Sequence, residues 1–553
     1  MAADIIYYLH YFAAKLCEKN ARKTLYTAMT GAVMQLALVG AADVVLTGSP
    51  EISFFKSLTR RYTHYAAESV QMAFQGTADF GRSVSAPITR SGDLVSKCYL
   101  QITLPDLKNF HASVNVAQES PTSTVPAIIS ARFTSSTTAT VTITPPTSSG
   151  GSHRYKVTLS RNNEEGENSF YSSSTSILIT ALDKAKSYSV VVKRQIMNGT
   201  SVNSEGSNSS SMDIICLKWC NSVGHAIIRS VECQLGGSRL DRHVSEFFDI
   251  MSELNMPEEK KRGFEQMVGK FPEYDLYDNS FSQRTLFVPL IFFFNKAPSL
   301  SIPLVALAFH ELKLNFEFRD WTELIKSNVP ITTLADTRGS TPSMDCTLYS
   351  EMYLLDTEER LRFSSMPQEM VIEVCQFLGD HPIIVDNEEP NLTRKIALNF
   401  SHPVKELIFV YNHASTYNAN VTAPYYAVNG NNYFNCDMPS PYKDEEPIMT
   451  AKLQVNGSDR NSERPSQYYR LVQPFQHHLR IPDKRVYVYS LSLNADDIQP
   501  SGSLNWSRVD QAHLVLTLNP NMINSRGRVR VFAISYNLLR IASGLGGLAF
   551  AGG

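Results

Sequence analysis

The sequence predicts an all-β protein built from β-sandwiches or jelly rolls. Short runs rich in β-branched and aromatic residues recur along the chain, among them "RTLFVPLIFFF", "KELIFVYN", "AHLVLTL" and "RVRVFAISYNLLRI". Clusters of Gly, Pro, Asn and Asp punctuate them, as turns between strands require. Only one stretch after residue 82, near 244–269, carries a convincing helical pattern, in "VSEFFDIMSEL" and "PEEKKRGFEQMV". Many short strands with few helices are the pattern of sandwich and jelly-roll architectures.

At 553 residues the chain is too long for one ordinary core, and roughly two to four domains of about 100–200 residues are expected. Hydrophobic residues make up 43% and charged residues 19%, enough apolar material for sizeable cores. Fifty-one basic and 53 acidic side chains leave a net charge of -2, which excludes long-range attraction for polyanions and any general nucleic-acid-coating role. The 8 cysteines are too sparse for a disulfide framework and read as buried or free thiols in a reducing compartment.

Along the chain, Lys15, Lys19, Arg22 and Lys23 precede the apolar run "AMTGAVMQLALVGAA". That order has the outline of a signal peptide, but Gln35 interrupts the run and Asp43 ends it, so a packed segment is the better reading. Residues 53–71, which include "FFKSLTRRYTHYA", space Phe54, Leu58, Tyr62, Tyr65 and Ser69 as an amphipathic helix capped by Ser53. In that reading the rings face inward and Lys56, Arg60 and Arg61 face outward. From Arg82 the pattern turns to strands, with two runs flanking the turn sequence Arg90-Ser91-Gly92-Asp93.

Composition shifts to Ser and Thr between about Leu107 and Asp213, a segment with its own alternating strands. Leu182, Tyr188, Val190 and Val192, followed by Asn198-Gly199, resemble a fibronectin type III or Ig-like sandwich, with Tyr188 as its corner tyrosine. The segment lacks a clear early core Trp. It is read as a small sandwich inserted in a larger domain, at a solvated loop where insertions are tolerated. A second irregular stretch, 411–470, is rich in Asn, Tyr, Pro and Ser and reads as a long display loop.

Chemistry-bearing motifs are scarce. No phosphate-binding glycine loop, metalloprotease helix or nucleophile elbow stands in its required context. Cys216, Cys220, His225 and Cys233 have zinc-ligand chemistry without a zinc motif's spacing. The adjacent pairs Glu258–Glu259 and Glu388–Glu389 read as solvated charges and not as an acid/base pair. Seven Asn-x-Ser/Thr sequons, starting at Asn198, Asn208, Asn391, Asn399, Asn420, Asn456 and Asn505, matter only on a secretory route. No catalytic, cofactor or metal residues are nominated.

Eight segments in order carry a resemblance. They are "MQLALVGAADVVLTGSPEISFFKSLTRRYTHYAAES", "FQGTADFGRSVSAPITRSGDLVSKCYLQITLP", "SVGHAIIRSVECQLGGSRLDRH", "LNFEFRDWTEL", "YLLDTEERLRF", "NFSHPVKELIFV", "QPSGSLNWSRVD" and "VFAISYNLLRIASGLGGLAF". Together they resemble the major capsid proteins of nucleocytoplasmic large DNA viruses over nearly the whole chain, except 1–28 and about 107–213. The resemblance implies two consecutive eight-stranded jelly rolls: 29–325, interrupted by the 107–213 sandwich, and 342–553, joined by a linker at 326–341. Residues 1–28 would be an N-terminal extension.

It also implies a structural, non-enzymatic role without cofactors. Homotrimers would form pseudo-hexagonal capsomers that tile the icosahedral shell of a virion assembled in the host cytoplasm. Expected partners are further copies of the chain, neighbouring capsomers, minor capsid, cement and penton proteins, an internal viral membrane, and host glycans at outer loops, but no sequence-specific nucleic acid. The assembly candidates carried by the motifs are Phe54, Phe55, Lys56, Arg60, Arg61, Gly76, Asp79, Phe80, Arg90, Gly92 and Asp93, with the rings packed beneath the first roll and the cations meeting neighbours. The rival readings are a β-sandwich carbohydrate-binding or adhesion protein, and a glycoside hydrolase, for which the sequence offers no facing carboxylates.

Overall fold

The computed structural model describes residues 38–550 apart from residue 58 and 108–109, 113–126, 134–138, 145–152, 162–166, 175, 180–187, 199–200, 209–211, 214–216, 271–282, 328–333, 337–340, 386–391, 418–430, 439–441, 443 and 523–525. The 1–28 extension, Cys216, Glu388 and Glu389, and the side chain of Tyr188 lie outside the described residues. The chain divides into two units, one ending at Thr63 and one spanning His64–Gly553.

In the first unit, α1 (Ala41–Thr47) is a short helix whose Asp43 side chain accepts from the Gly40 N–H at 2.9 Å. The helix expected at 53–71 does not form. Ser53 accepts a hydrogen bond from Phe55 N–H at 3.4 Å, which makes a turn and not a cap. From Tyr65 the chain is a strand. The β-branched and aromatic residues of that stretch are poor helix formers, and pairing with a distant strand decides the matter.

The second unit begins with β1 (Tyr65–Met72), β2 (Ser83–Pro87) and β3 (Leu94–Leu104). β2 and β3 flank the Arg90–Asp93 turn but enter different sheets, so this is a corner and not a hairpin. A segment then intervenes with β4 (Ala127–Phe133), β5 (Ala139–Thr144), β6 (His153–Arg161), β7 (Glu167–Ser172), β8 (Ser176–Ile179), β9 (Tyr188–Asn198) and β10 (Ser201–Asn208). They form a β4-β5-β8 sheet and a β10-β9-β6-β7 sheet, around a core of their own that includes Val141, Tyr155, Val157, Ile177 and Val190.

The chain then runs through α2 (Val223–Ile227), β11 (Ile228–Leu235), β12 (Ser238–Val244), α3 (Ser245–Asn255), α4 (Glu258–Val268), β13 (Arg284–Pro289), β14 (Leu312–Phe318) and β15 (Asp345–Leu355). Gly236 and Gly237, at φ 58° and 85°, make the two-residue β11–β12 hairpin turn, a shape that needs positive φ at both positions. The single helix expected near 244–269 is two, because Pro257 cannot continue α3 and instead caps α4.

The sheet orders are β1-β15-β3-β13 and β12-β11-β14-β2, all antiparallel. Their inner faces alternate with the strand period, as in β14, where Leu312, Leu314, Phe316 and Phe318 are all buried. This corrects the domain boundary expected at 342. β15 lies between β1 and β3, so residues 326–341 connect the seventh and eighth strands of the first roll and do not link two rolls.

After α5 (Thr357–Ser365) the second roll contains β16 (Gln368–Ile384), β17 (Thr393–Ala397), β18 (Pro403–His413), β19 (Ile448–Val455), β20 (Ser458–Asp459), β21 (Val486–Ser490), β22 (Ala512–Leu518) and β23 (Arg526–Ala542). Its sheets are β16-β23-β18-β21 and β17-β22-β19-β20. Counting strands within each roll, both halves read 1-8-3-6 and 2-7-4-5. The architecture is a double jelly roll.

Residues 411–470 are therefore not one loop. β19 and β20 lie inside them, hidden by the surrounding Asn, Ser and Pro. The irregular remainder before β19 follows the third strand of its roll, as the 107–213 segment follows the third strand of the first.

Candidate assembly surface and the seam between the rolls

In the second roll, β18 reads "PVKELIFVYNH", a nearly continuous apolar run, and 9 of its 11 residues are buried. Such a run marks a strand covered on both faces. Val404, Leu407, Phe409 and Tyr411 point into the second roll's core, while Ile408 and Val410 meet Phe247, Ile250, Met251 and Leu254 of α3. Phe532 and Ile534 of β23 join the same contact. The outer face of one roll is thus the inner face of the seam.

Charges in this seam are paired. Glu246, at the start of α3, is buried; its Oε2 lies 2.6 Å from Arg530 Nη1 and accepts from the Ser245 hydroxyl at 2.8 Å. Its Oε1 lies 3.5 Å from Arg528 and 3.7 Å from Arg319. Burial alone would raise this carboxyl's pKa, but Arg530, Arg319 and Arg528 outweigh burial and hold it at about 2. Asp380 accepts from Arg528 Nη1 and from Arg530 Nε, both at 2.6 Å. Arg319 is further fixed by the Ala226 carbonyl at 2.7 Å and lies over the Tyr433 ring at 4.2 Å.

Three more contacts cross the seam. Lys484 Nζ lies 2.5 Å from Asp249 of α3, and Lys261 of α4 reaches Asp483 at 2.5 Å. Lys296 of the first roll and the buried Lys405 of the second share Glu373; burial would raise that carboxyl's pKa, and the two lysines hold it below its ordinary value. Within the second roll, His478 sits between Glu406 at 2.9 Å and Asp496 at 3.0 Å.

The motif candidates fall in two places. Phe54, Phe55, Lys56, Arg60 and Arg61 lie in the first unit, and all are exposed; Phe54 is 91% and Phe55 100% accessible. The helical stripe that would have gathered these rings on one face does not form.

Of the remaining candidates, Asp79, Gly92 and Asp93 clamp one strand. Asp79 Oδ1 accepts from the N–H of Phe80 at 2.8 Å and of Met344 at 3.1 Å, at the start of β15. Phe80 stacks on Trp219, with centroids 6.1 Å apart. Asp93 Oδ2 accepts from Leu355 N–H at 2.9 Å, at the end of β15, and its Oδ1 lies 3.0 Å from Arg360 of α5. Gly92 passes so close to β15 that a Cβ would sit 2.7 Å from that of Met352. Arg90 donates to the Ala308 carbonyl at 3.0 Å, and Gly76 occupies the left-handed region at φ 104°.

The described members of the cysteine–histidine group, Cys220, His225 and Cys233, are buried. His225 packs beside Phe248, Phe264 and Phe434, and burial first, then Lys484 and Lys270, lowers its pKa to about 3. Burial pushes the Cys220 thiol up to about 11 and raises that of Cys233. Among the described residues no group of three or more His, Cys, Asp or Glu could hold a metal ion. An exposed apolar cluster, Phe475, Leu479 and Leu493, lies on the β20–β21 connection and the turn after β21, where the His477 ring bonds the Leu493 carbonyl at 2.9 Å.

Comparison with known proteins matches this architecture block for block. Residues 53–137 and 183–356 fit the family "Major capsid protein N-terminus", and 359–547 fit "Large eukaryotic DNA virus major capsid protein". The major capsid protein of Pyramimonas orientalis virus is 30% identical over 550 residues, covering 95% of this chain and 100% of the relative. This chain belongs to the major capsid proteins of large eukaryotic DNA viruses, the proteins that form the virion's capsid shell.

The major capsid protein of Phaeocystis pouchetii virus is 28% identical over 625 residues, with 95% and 100% coverage. Among solved structures, a chain of the PBCV-1 virus capsid shares the fold at a TM-score of 0.61 and 24% identity, covering 90% of this chain and all of its own. The capsid family's first block ends at residue 356, just after β15, and its second begins at 359 within α5, where the topology divides the rolls. The same block skips 138–182, inside the intervening sheets.

Proposed function

We propose that this capsid protein acts without catalysis, as a homotrimer whose six jelly rolls make a pseudo-hexagonal capsomer of an icosahedral shell. The observation carrying this reading is that both rolls have the same 1-8-3-6 and 2-7-4-5 strand order and are locked together by a buried ionic seam. Two similar bodies fixed in one chain turn a three-fold assembly into a near six-fold block. Closed three-fold symmetry needs heterologous contacts, in which one patch meets a different patch on the neighbour. The exposed Phe475, Leu479 and Leu493 supply apolar surface suited to such a contact.

Light scattering of the purified protein tests this: three times the chain mass is expected, and a monomer or dimer at micromolar concentration would overturn it. Phe475→Ser with Leu493→Ser should lower trimer or shell yield and leave the melting of the single chain unchanged.

The sandwich segment 107–213 and the segment 414–447 are proposed to stand on the outer face of the capsomer. Their matching positions after the third strand of each roll support a common side. They are the surfaces offered to host glycans, while minor capsid, cement and penton proteins would meet the base and rim. A density map of the particle with either segment facing the genome would refute the placement. Assembly in the host cytoplasm fits the free cysteines Cys98, Cys220, Cys233, Cys346, Cys375 and Cys436.

A further inference from the structure

The first unit has an unusual surface. Every described residue from Leu38 to Thr63 is exposed, and α1 buries none of its side chains. Val44, Val45 and Leu46 of α1, then Ile52, Phe54, Phe55 and Tyr62, all present apolar surface to solvent, with Val45 at 83% and Leu46 at 84%. Lys56, Arg60 and Arg61 follow within the same stretch, and no acidic residue occurs between Glu51 and Glu68. The chain as a whole is near neutral, so this cationic run is a local feature.

Three partners fit some of this chemistry, and they differ in what they reward. Nucleic acid rewards cations and rings, but its affinity rests largely on neutralised phosphates, and three cations neutralise about three. The aliphatic side chains of Val44, Val45, Leu46 and Ile52 gain nothing from bases. A protein partner would reward the apolar groups without needing an acid-free cationic run beside them. An anionic bilayer rewards both: aliphatic and aromatic side chains enter the headgroup–acyl boundary, and Lys and Arg stay among the headgroups.

We propose that residues 41–62 form a peripheral binding site for an anionic lipid surface. Val44, Val45, Leu46, Phe54 and Phe55 are the inserting groups, and Lys56, Arg60 and Arg61 hold the headgroups. The site deepens the partner assignment for the capsid protein without depending on trimer formation, so the two can fail separately.

Flotation of the full-length protein with phosphatidylcholine vesicles, with and without phosphatidylserine, tests the site. At low salt, binding should be at least about tenfold stronger with phosphatidylserine, at roughly 1 kcal/mol per cation near the surface. Raising the salt should erase that gain. Arg60→Glu with Arg61→Glu should remove the phosphatidylserine preference, while Phe54→Ser with Phe55→Ser should weaken binding to both vesicle types. The residues are exposed, so light scattering and melting should be unchanged in both variants. No flotation with phosphatidylserine vesicles overturns the proposal. So does undiminished binding after the charge reversals, or binding of a single-stranded DNA oligonucleotide that the same variants abolish while vesicles never float. Loss of the oligomer in Phe54→Ser/Phe55→Ser would instead assign the rings to a second copy, and would overturn it too.

Discussion

Glu246 and Arg530 lie 2.6 Å apart although they belong to different jelly rolls, one opening α3 and the other in the eighth strand of the second roll. Around that contact Arg319, Arg528 and Asp380 complete a network of three cations and two carboxylates, in which Glu246 is buried and Asp380 lies at the exposed edge. Removing the central carboxylate takes away the buried anion that all three arginines share and leaves Arg528 and Arg530 only the exposed Asp380. Glu246→Ala should therefore cost about 3–5 kcal/mol, the range for stranding buried charge. Urea unfolding would measure it, and proteolysis near α5 should accelerate as the rolls part. A cost under about 1 kcal/mol would show that the network is not what joins them.

The same carboxylate sets an acid limit. Its folded pKa of about 2 lies below the ordinary 4.5, so it binds its proton more readily in the unfolded chain. Its stabilising contribution is present above about 4.5 and is lost as pH falls towards about 2. Stability measured across that window should fall steeply in the native protein and much less in Glu246→Gln. Parallel acid limbs would remove Glu246 from the explanation.

How the charges came to be buried shows what the sequence could and could not say. Arg528 and Arg530 alternate with Val529 and Val531, and strand periodicity rightly separates the two sets onto opposite faces. Read locally, the arginine face is solvent. Only the packing of α3 against that face makes it interior, and no window of sequence contains both. Most strands were legible because alternation is local, and the continuous run of β18 already signalled cover on both sides. The partner of β1 was not legible: Tyr65 pairs with Leu355, and a pairing of that span leaves no local mark. For the same reason Phe54 and Tyr62, spaced like a helical stripe, were misread. The clamp residues Asp79 and Asp93 were visible as motif members, but their common attachment to β15 was not.

Asp93 joins the first roll's corner to the segment leading into the second. Asp93→Ala removes the acceptor for Leu355 N–H and the partner of Arg360, and should cost about 1–3 kcal/mol. Asp93→Asn keeps an acceptor and should cost less. Hydrogen exchange at Leu355 would report the difference directly, rising in the alanine variant. Equal protection in all three proteins would mean that β15 is held without the clamp.

Gly92 tests the close approach beside it. A Cβ there would lie 2.7 Å from the Met352 Cβ and 3.3 Å from the Tyr353 carbonyl oxygen, and Met352 is buried in the core. Neither backbone can retreat without disturbing the β3–β15 pairing. Gly92→Ala should destabilise by about 1–3 kcal/mol, in the manner of overpacked cores. Gly237→Ala offers a contrast: unlike Gly92 its φ is left-handed, at 85°, but nothing lies within 4 Å, so only backbone strain of about 1 kcal/mol is expected. If Gly92→Ala melts like the native protein, the corner is looser than its packing implies.

His478 sets an alkaline limit opposite to that of Glu246. Burial alone would lower its pKa, but Glu406 and Asp496 outweigh burial and push it up to about 9. A folded pKa above the ordinary 6.5 means that the folded state holds the proton more tightly. The contribution is full below about 6.5 and is lost as pH rises through about 9. At about 1.4 kcal/mol per pKa unit, it amounts to something on the order of 3 kcal/mol. Loss of the charge strands Glu406, which is buried in β18, the strand whose Ile408 and Val410 meet α3, so loosening here should spread to the contact between the rolls. Thermal melts between neutral pH and pH 10 should show a falling limb in the native protein. That limb should be absent in His478→Gln, whose stability should already be low at neutral pH. A native-like alkaline limb in the variant would mean that another group titrates there and that His478 is held neutral.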